Sequence, residues 1–322
     1  MLNYPLKFRP ILKQKIWGGN KLVNLLHKES KNKNIGESWE ISDVDNNISV
    51  VANGKLKGIT LKELVQKYKE SLVGNKNYQT FKDKFPLLIK FIDASQDLSV
   101  QVHPNNELAK KRHNSFGKTE MWYIMEAESN SNLVLGFSKS ITSEEYKELL
   151  KKKSITSVLN LEKIKKGDAF FIETGAVHAI GAGVVLAEIQ QTSDITYRIY
   201  DWDRVDAKGK SRELHTDLAI DAINFSTEIK AKQKYGNSLN NLNTMVSCPY
   251  FRTNFIPVKG NVVLDYTKTD SFIIFMCVEG FATITINNNS ETINYGETIL
   301  IPANVNEVNI NSENSKLLEV TV

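Results

Sequence analysis

The run Gly167-Asp168-Ala169-Phe170-Phe171-Ile172-Glu173-Thr174-Gly175-Ala176-Val177-His178 most constrains the fold, because it sets one histidine just past a glycine-punctuated strand and turn. A small β-barrel presents a metal ligand at such a place. Upstream, Gln101-Val102-His103-Pro104-Asn105 and Gly117-Lys118-Thr119-Glu120-Met121-Trp122 supply the rest of a coordination set. Together the three segments read as one mononuclear metal site.

The same spacing returns near the C-terminus, where Gly296-Glu297-Thr298-Ile299-Leu300-Ile301-Pro302-Ala303-Asn304-Val305-Asn306-Glu307 places Glu307 at the position of His178. Both copies fit the second motif of the cupin barrel, Gly-x5-Pro-x-Gly-x2-His. The first carries Glu173 for the proline, and the second carries Asn304 and Glu307 for the glycine and the histidine. The chain therefore resembles a bicupin: mainly β with helical insertions, in two cupin (jelly-roll-like) β-barrels, the first metal-binding and the second degenerate. The five histidines are His27, His103, His113, His178 and His215, so the second barrel has none and is expected to be structural. A polar stretch rich in Lys and Asn, Lys230 to Asn243, marks the boundary between a catalytic domain at 1–240 and a C-terminal domain at 241–322.

Capping boxes mark two helices. Thr60 with Glu63 opens a helix over about 61–73, and Thr142 with Glu145 opens one over about 143–160. Leu214 to Ile223 is a shorter candidate. The remainder is β-rich, with strands expected at Ile48 to Ala52, Leu98 to Val102, Met121 to Met125, Leu133 to Phe137, Ala169 to Ile172, Ser271 to Val278 and Ala282 to Ile286.

Composition narrows the function class. The 322 residues are 41% hydrophobic, enough for a sizeable core. Cys248 and Cys277 lie far apart without metal spacing, which suits buried reduced thiols in a reducing compartment. The net charge of +4 comes from 41 basic and 37 acidic residues mixed along the chain, which excludes a nucleic-acid stripe and leaves room for an anionic small substrate. No window approaches the roughly 18 consecutive apolar residues of a membrane span, and the N-terminus has no signal-peptide pattern, so a cytoplasmic location with no membrane partner is expected.

Residues i and i+2 of a strand share a face, so Gln101 and His103 both look into the barrel while Val102 looks out, and Pro104 ends the strand. With Glu120 and His178 they offer two imidazoles, a carboxylate and an amide oxygen, a set that suits Zn²⁺ with one open position and also approaches the two-His-one-carboxylate pattern of Fe(II). The bland alternative makes His103 and His178 ordinary core residues and Glu120 a surface charge. His113 sits in a polar loop that reads as solvated, and His27 and His215 read as surface or helix residues. After His178, the run Glu188 to Arg198 alternates enough for an inward-facing strand, placing Glu188, Gln190, Asp194 and Arg198 on one face with a turn intervening. Acids and bases beside a Lewis-acidic metal are equipped to move a proton next to a carbonyl, with Arg198 and Lys118 stabilising an anion. The bland reading of that row is an ion-pair network at a barrel mouth.

These segments, with Val177-His178-Ala179-Ile180-Gly181-Ala182-Gly183, Trp17-Gly18-Gly19 and Gly36-Glu37-Ser38-Trp39-Glu40, resemble type I mannose-6-phosphate isomerase over most of the chain, most of all its shorter bacterial branch. The resemblance implies one zinc ion per chain on Gln101, His103, Glu120 and His178. It implies catalytic roles for Arg198, Lys118, Glu188 and Asp194, and a substrate pocket that includes Trp17, Glu37, Lys90 and Ser99. The longer branch has His-Lys-Pro-Glu where this chain has Gly117-Lys118-Thr119-Glu120, so a mechanism that opens the sugar ring with that histidine does not transfer. The implied partner is a small-molecule sugar phosphate, with the chain a monomer or homodimer. The implied activity, in mannose metabolism, is a metal-dependent intramolecular oxidoreductase converting mannose 6-phosphate and fructose 6-phosphate through a cis-enediol. Competing readings are an isomerase of another aldose, a non-enzymatic sugar-binding bicupin and an Fe(II) oxygenase using His103, Glu120 and His178.

Overall fold

Three antiparallel sheets and a short hairpin carry the chain in the computed structural model, which describes residues 2–206, 208–225 and 229–322. The first sheet orders its strands Ile11–Gly19, Ile35–Ile41, Leu87–Ala94, Val184–Gln191, Glu120–Ala127, Ala169–Ile172 and Lys232–Gln233. Its middle strands are buried on both faces, and alternation divides them. Leu87, Ile89 and Phe91 enter a large apolar core, whereas Lys90 and Ile92 of the same strand line a cavity on the opposite face.

Facing it is a second sheet, ordered Tyr197–Tyr200, Val100–Val102, His178–Ile180, Asn132–Phe137 and Leu159–Lys163. Val100, Val102 and Tyr197 pack outward against Tyr146 of the helix Ser143–Lys151, which leaves Gln101 and Arg198 to face the cavity. Burying each such large apolar side chain contributes roughly 1.5–3 kcal/mol, so the outer faces hold the sheets while the inner faces stay polar.

A third sheet comprises Asn243–Ser247, Arg252–Asp265, Glu307–Thr321, Ile273–Glu279 and Thr298–Ile301, with the ribbon Phe281–Ile286 and Asn289–Asn294 attached. Its pairings repeat those of the first two sheets. Ala169–Ile172 pairs with Glu120–Ala127 so that Ile172 opposes Glu120, and Thr298–Ile301 pairs with Ile273–Glu279 so that Ile301 opposes Ile273. His178 opposes Gln101, and Glu307 opposes Asp265. Each of the long strands Arg252–Asp265 and Glu307–Thr321 does the work of two strands in the N-terminal part. One apolar core unites the parts: Met276, Leu318 and Val320 pack in the same cluster as Leu6, Phe91 and Ile189.

Local chemistry also changes several expected elements. The helix expected over 61–73 is two helices, Leu61–Tyr68 and Glu70–Val73, because Lys69 takes a positive φ of 45° between them. The helix from Thr142 stops at Lys151, and Ile155 and Val158 then turn into the core ahead of the strand Leu159–Lys163. The stretch 214–223 yields only Thr216–Ile220, and Ile48 to Ala52 yields the strand Asn47–Ile48 followed by isolated bridges at Val50 and Val51. The polar loop expected around His113 is instead the end of a helix, Asn106–His113, capped by Asn105, whose side chain accepts from the Leu108 amide at 2.9 Å. Both cysteines are free, and among the described residues no helix is long and apolar enough to cross a membrane.

Candidate metal centre

Three side chains converge beneath the cavity from three chain segments. His103 follows the strand Val100–Val102, Glu120 opens Glu120–Ala127, and His178 opens His178–Ile180. Their nearest ligand atoms all lie within 4.8 Å of one another, and all three residues are buried. His103 Nε2 is 3.5 Å from one Glu120 oxygen, and His178 Nε2 is 3.5 Å from the other. The turn that delivers His178 depends on Gly175, whose φ of 87° disfavours any side chain and whose amide donates to the His103 carbonyl at 3.0 Å.

The tautomers are set from behind. His103 Nδ1 donates to the Ile195 carbonyl at 3.0 Å and His178 Nδ1 to the Ala176 carbonyl at 2.9 Å, so both Nε2 lone pairs face Glu120. Burial, aided by Lys118, holds His103 well below the usual imidazole range, and burial lowers His178 to about 4, so both rings are neutral at pH 7. Burial and the nearby Glu188 raise Glu120 to about 7 against the opposing pull of Lys118. Neither carboxylate oxygen of Glu120 has a hydrogen-bond partner. A buried anion left this way is costly, and two neutral imidazoles aimed at it are the donor set of a divalent transition metal; the residues fit a metal ion. Gln101 adjoins them, its amide nitrogen 3.2 Å from His178 Nε2.

Above this triad opens a cavity of about 410 Å³. Its walls include Trp17, Glu37, Lys90, Ser99, Gln101, Lys118, Glu188, Asp194 and Arg198, so the expected pocket residues come together in one space while His103, Glu120 and His178 lie beneath it. Lys118 Nζ sits 3.4 Å from Glu120 and 3.2 Å from His103 Nε2. Glu188 is locked by Lys90 at 2.8 Å and by the Trp122 indole at 2.9 Å. Burial would raise Glu188, but Lys90 and Lys118 hold it below its ordinary value. Breaking such a buried pair costs roughly 3–5 kcal/mol, which makes this row an expensive feature for a plain core.

The run from Glu188 to Arg198 is not one strand. Gln190 donates to the Gln191 and Ser193 carbonyls at 2.9 and 2.5 Å, and this turn carries the chain from the first sheet to the second. Glu188 therefore reaches the cavity from one sheet and Arg198 from the other, while Asp194 stands exposed between them. Arg198 opposes Gln101 in register, donates to the Glu213 carbonyl at 2.6 Å and leaves its buried Nε without a partner. His215, expected at the surface or in a helix, precedes the helix Thr216–Ile220 and accepts from the Arg198 amide at 3.1 Å, and exposed His113 meets the Tyr197 hydroxyl at 2.8 Å. The structure adds Lys13, Lys15, Trp39 and Arg212 to the walls; of these Trp39 lies in the Gly36-Glu37-Ser38-Trp39-Glu40 motif but is not among the pocket residues expected from it. The signal available was the alternation Lys13-x-Lys15-x-Trp17.

Residues 6–134 match the family described as phosphomannose isomerase type I, catalytic domain, and residues 241–321 match mannose-6-phosphate isomerase, cupin domain. The chain is 36% identical over 310 residues to mannose-6-phosphate isomerase ManA of Bacillus subtilis strain 168, covering 95% of this chain and 96% of that one. It is 34% identical to the mannose-6-phosphate isomerase of Streptococcus mutans, over 92% of each chain. Among solved structures, that of the Bacillus subtilis mannose 6-phosphate isomerase superposes with a TM-score of 0.89 at 29% identity, covering 99% of this chain and all of that one.

Proposed function

Because the chain belongs to the type I phosphomannose isomerase family, we propose that it interconverts mannose 6-phosphate and fructose 6-phosphate in the cavity above His103, Glu120 and His178. The description as an intramolecular oxidoreductase is corrected: its relatives are isomerases, and the chain is an aldose–ketose isomerase, not an oxidoreductase. In this reaction a hydrogen and the carbonyl change places within one sugar, and no electrons pass to a second molecule. The observation that carries the reading is the buried Glu120 carboxylate, which has no hydrogen-bond partner and lies between two neutral imidazoles on the floor of a cationic cavity.

In this reading His103, Glu120 and His178, with Gln101 as a fourth donor, hold one zinc ion per chain. When bound, the ion supplies Lewis-acid polarisation of the sugar carbonyl. Lys118 and Arg198 place positive charge where negative charge develops as the proton passes between C1 and C2 through a cis-enediol. Glu188, Asp194 and Lys118 are the groups available to carry that proton, and of these Glu188 is held ionised against Lys90. Trp17, Glu37, Lys90 and Ser99 orient the sugar along the wall. The same reading divides the chain into a catalytic domain at 1–240 and a C-terminal domain at 241–322, the latter a cupin barrel whose ligand positions are lost.

The test is NMR of zinc-loaded protein with mannose 6-phosphate in deuterated water, beside chelated protein and His178→Ala. Fructose 6-phosphate formed only with the intact site, with deuterium at C1 or C2, is the expected result. A folded, zinc-replete sample that forms none overturns the reading.

A further inference from the structure

The cavity carries more positive charge than its carboxylates balance, and the register of the sheets shows where the surplus lies. Of six cationic side chains in its walls, four have carboxylate partners: Lys15 with Glu37 at 3.0 Å, Lys90 with Glu188 at 2.8 Å, Lys118 with Glu120 at 3.4 Å and Arg212 with Asp201 at 2.5 Å. Among the described residues, Lys13 and Arg198 have only neutral hydrogen-bond partners, the Asn47 amide oxygen and the Glu213 carbonyl.

These two cations stand at different distances from the triad. Arg198 opposes Gln101, which opposes His178, so its backbone lies two strand spacings away, about 10 Å. Lys13 belongs to the edge strand Ile11–Gly19, four strands from Glu120–Ala127, on the order of 19 Å across the sheet. A sugar whose C1 and C2 lie at the triad therefore meets Arg198 at its carbonyl end. Its far end points along the sheet toward the edge strand.

That edge strand is built as a graded wall. Lys13, Lys15 and Trp17 alternate onto the cavity face, from the partly exposed ammonium groups to an indole that is 3% exposed. Lys13 lies over the Trp39 ring, 4.9 Å from its centroid, which holds the ammonium inward without neutralising it. Two lysines two residues apart, one of them lacking a carboxylate, suit a dianionic group better than a neutral hydroxyl.

We propose that Lys13, with Lys15 beside it, forms the subsite for the phosphate monoester of the substrate, leaving Arg198 to the carbonyl end. The inference rests on the isomerase reading for the direction in which the sugar lies.

The experiment compares zinc-loaded wild type, Lys13→Gln, Lys13→Arg and Lys15→Gln in two assays. Calorimetric titration with inorganic phosphate needs no turnover; Lys13→Gln is expected to weaken phosphate at least tenfold, Lys15→Gln less, and Lys13→Arg to restore most of the binding. In isomerisation, Lys13→Gln is expected to raise KM for mannose 6-phosphate more than it lowers kcat, and to shrink the preference over free mannose by about tenfold. Phosphate affinity and KM within twofold of wild type in Lys13→Gln, or no phosphate binding by wild type, overturns the subsite. Phosphate binding that depends on Lys13 in a protein that does not isomerise mannose 6-phosphate upholds the subsite and sinks the isomerase reading instead.

Discussion

The two copies of the glycine-punctuated motif fold alike and are filled differently. In the first, the Gly167 amide donates to the Ile124 carbonyl, and the Ile124 amide donates to the Asp168 carbonyl; in the second, Gly296, Cys277 and Glu297 make the same exchange at 2.8 and 2.9 Å. From that anchor the register equates Glu120 with Ile273, Trp122 with Phe275, and the pair Gln101 and His178 with Asp265 and Glu307. Buried Glu120 and His178 and half-buried Gln101 of the first copy thus correspond to a buried isoleucine and two exposed carboxylates in the second. Around Ile273 and Phe275 the interior closes with Ile256, Val258, Cys277, Ile299 and Leu317. The backbone alone therefore does not make the site. A carboxylate on the inner face makes it, and it is paid for in buried charge that the second copy avoids.

The largest effect should come from exchanging residues across the copies. Glu120→Ile, which installs the second copy's residue in the first, is expected to abolish zinc binding and lower turnover by at least about a thousandfold, read by metal analysis and the isomerisation assay. The converse Glu307→His is expected to gain no metal, because Ile273 still occupies the place of the carboxylate. Zinc bound by Glu307→His would break the comparison. Next in size is Ile273→Ala, expected to cost roughly 2–5 kcal/mol in chemical denaturation while leaving turnover per folded molecule unchanged, since that interior is packed and not catalytic.

The same contrast explains what the sequence could reveal. His103, Glu120 and His178 lie in short motifs whose spacing is local, and the repeat at Gly296 is visible for the same reason. Lys13 and Lys15 join the cavity only because the strand Ile11–Gly19 pairs with Ile35–Ile41, a register that no single segment encodes. The helix Asn106–His113 escaped notice because Ala109 alone is buried, leaving no apolar stripe to count. Glu188 and Arg198 read as one inward face with a turn intervening because alternation survives across Gln191 to Ser193, and only the change of sheet at that turn leaves no mark in the pattern.

Acid should separate the two parts by sign. Burial would raise Glu37 in the cavity wall, but Lys90 and Lys15 hold it at about 2, below an unfolded value near 4.5. Its contribution is therefore present above pH 4.5 and lost as the pH falls toward 2, on the order of 2–3 kcal/mol. Glu319, buried in the C-terminal sheet with Asn254 at 2.6 Å, is raised by burial. Its ionised form costs stability above its folded pKa, and the cost disappears below 4.5. Glu37→Gln is expected to flatten the acid limb of stability against pH, and Glu319→Gln to stabilise the protein at pH 7 with no gain at pH 3. Urea midpoints measured from pH 3 to 7 decide both, and equal slopes for the two variants would contradict the assignment.

The smallest difference is the sharpest test of whether the two turns are one device. Gly167 has φ 88° and Gly296 has φ 82°, so an alanine at either position carries the same left-handed strain, about 1–2 kcal/mol. Their surroundings differ. A methyl at Gly167 would have only the Tyr235 hydroxyl within reach, at 3.8 Å, whereas one at Gly296 would lie 2.7 Å from Leu26 Cβ, where the C-terminal sheet packs on the N-terminal part. Gly296→Ala should therefore cost about 1 kcal/mol more than Gly167→Ala in denaturation, the excess being a steric cost at the junction. A double variant with Leu26→Gly, which removes the Cβ in question, relieves that excess if the packing argument holds, measured against Leu26→Gly alone. Equal costs for the two glycines would mean that Leu26 yields freely, and that the junction is looser than its shared apolar core implies.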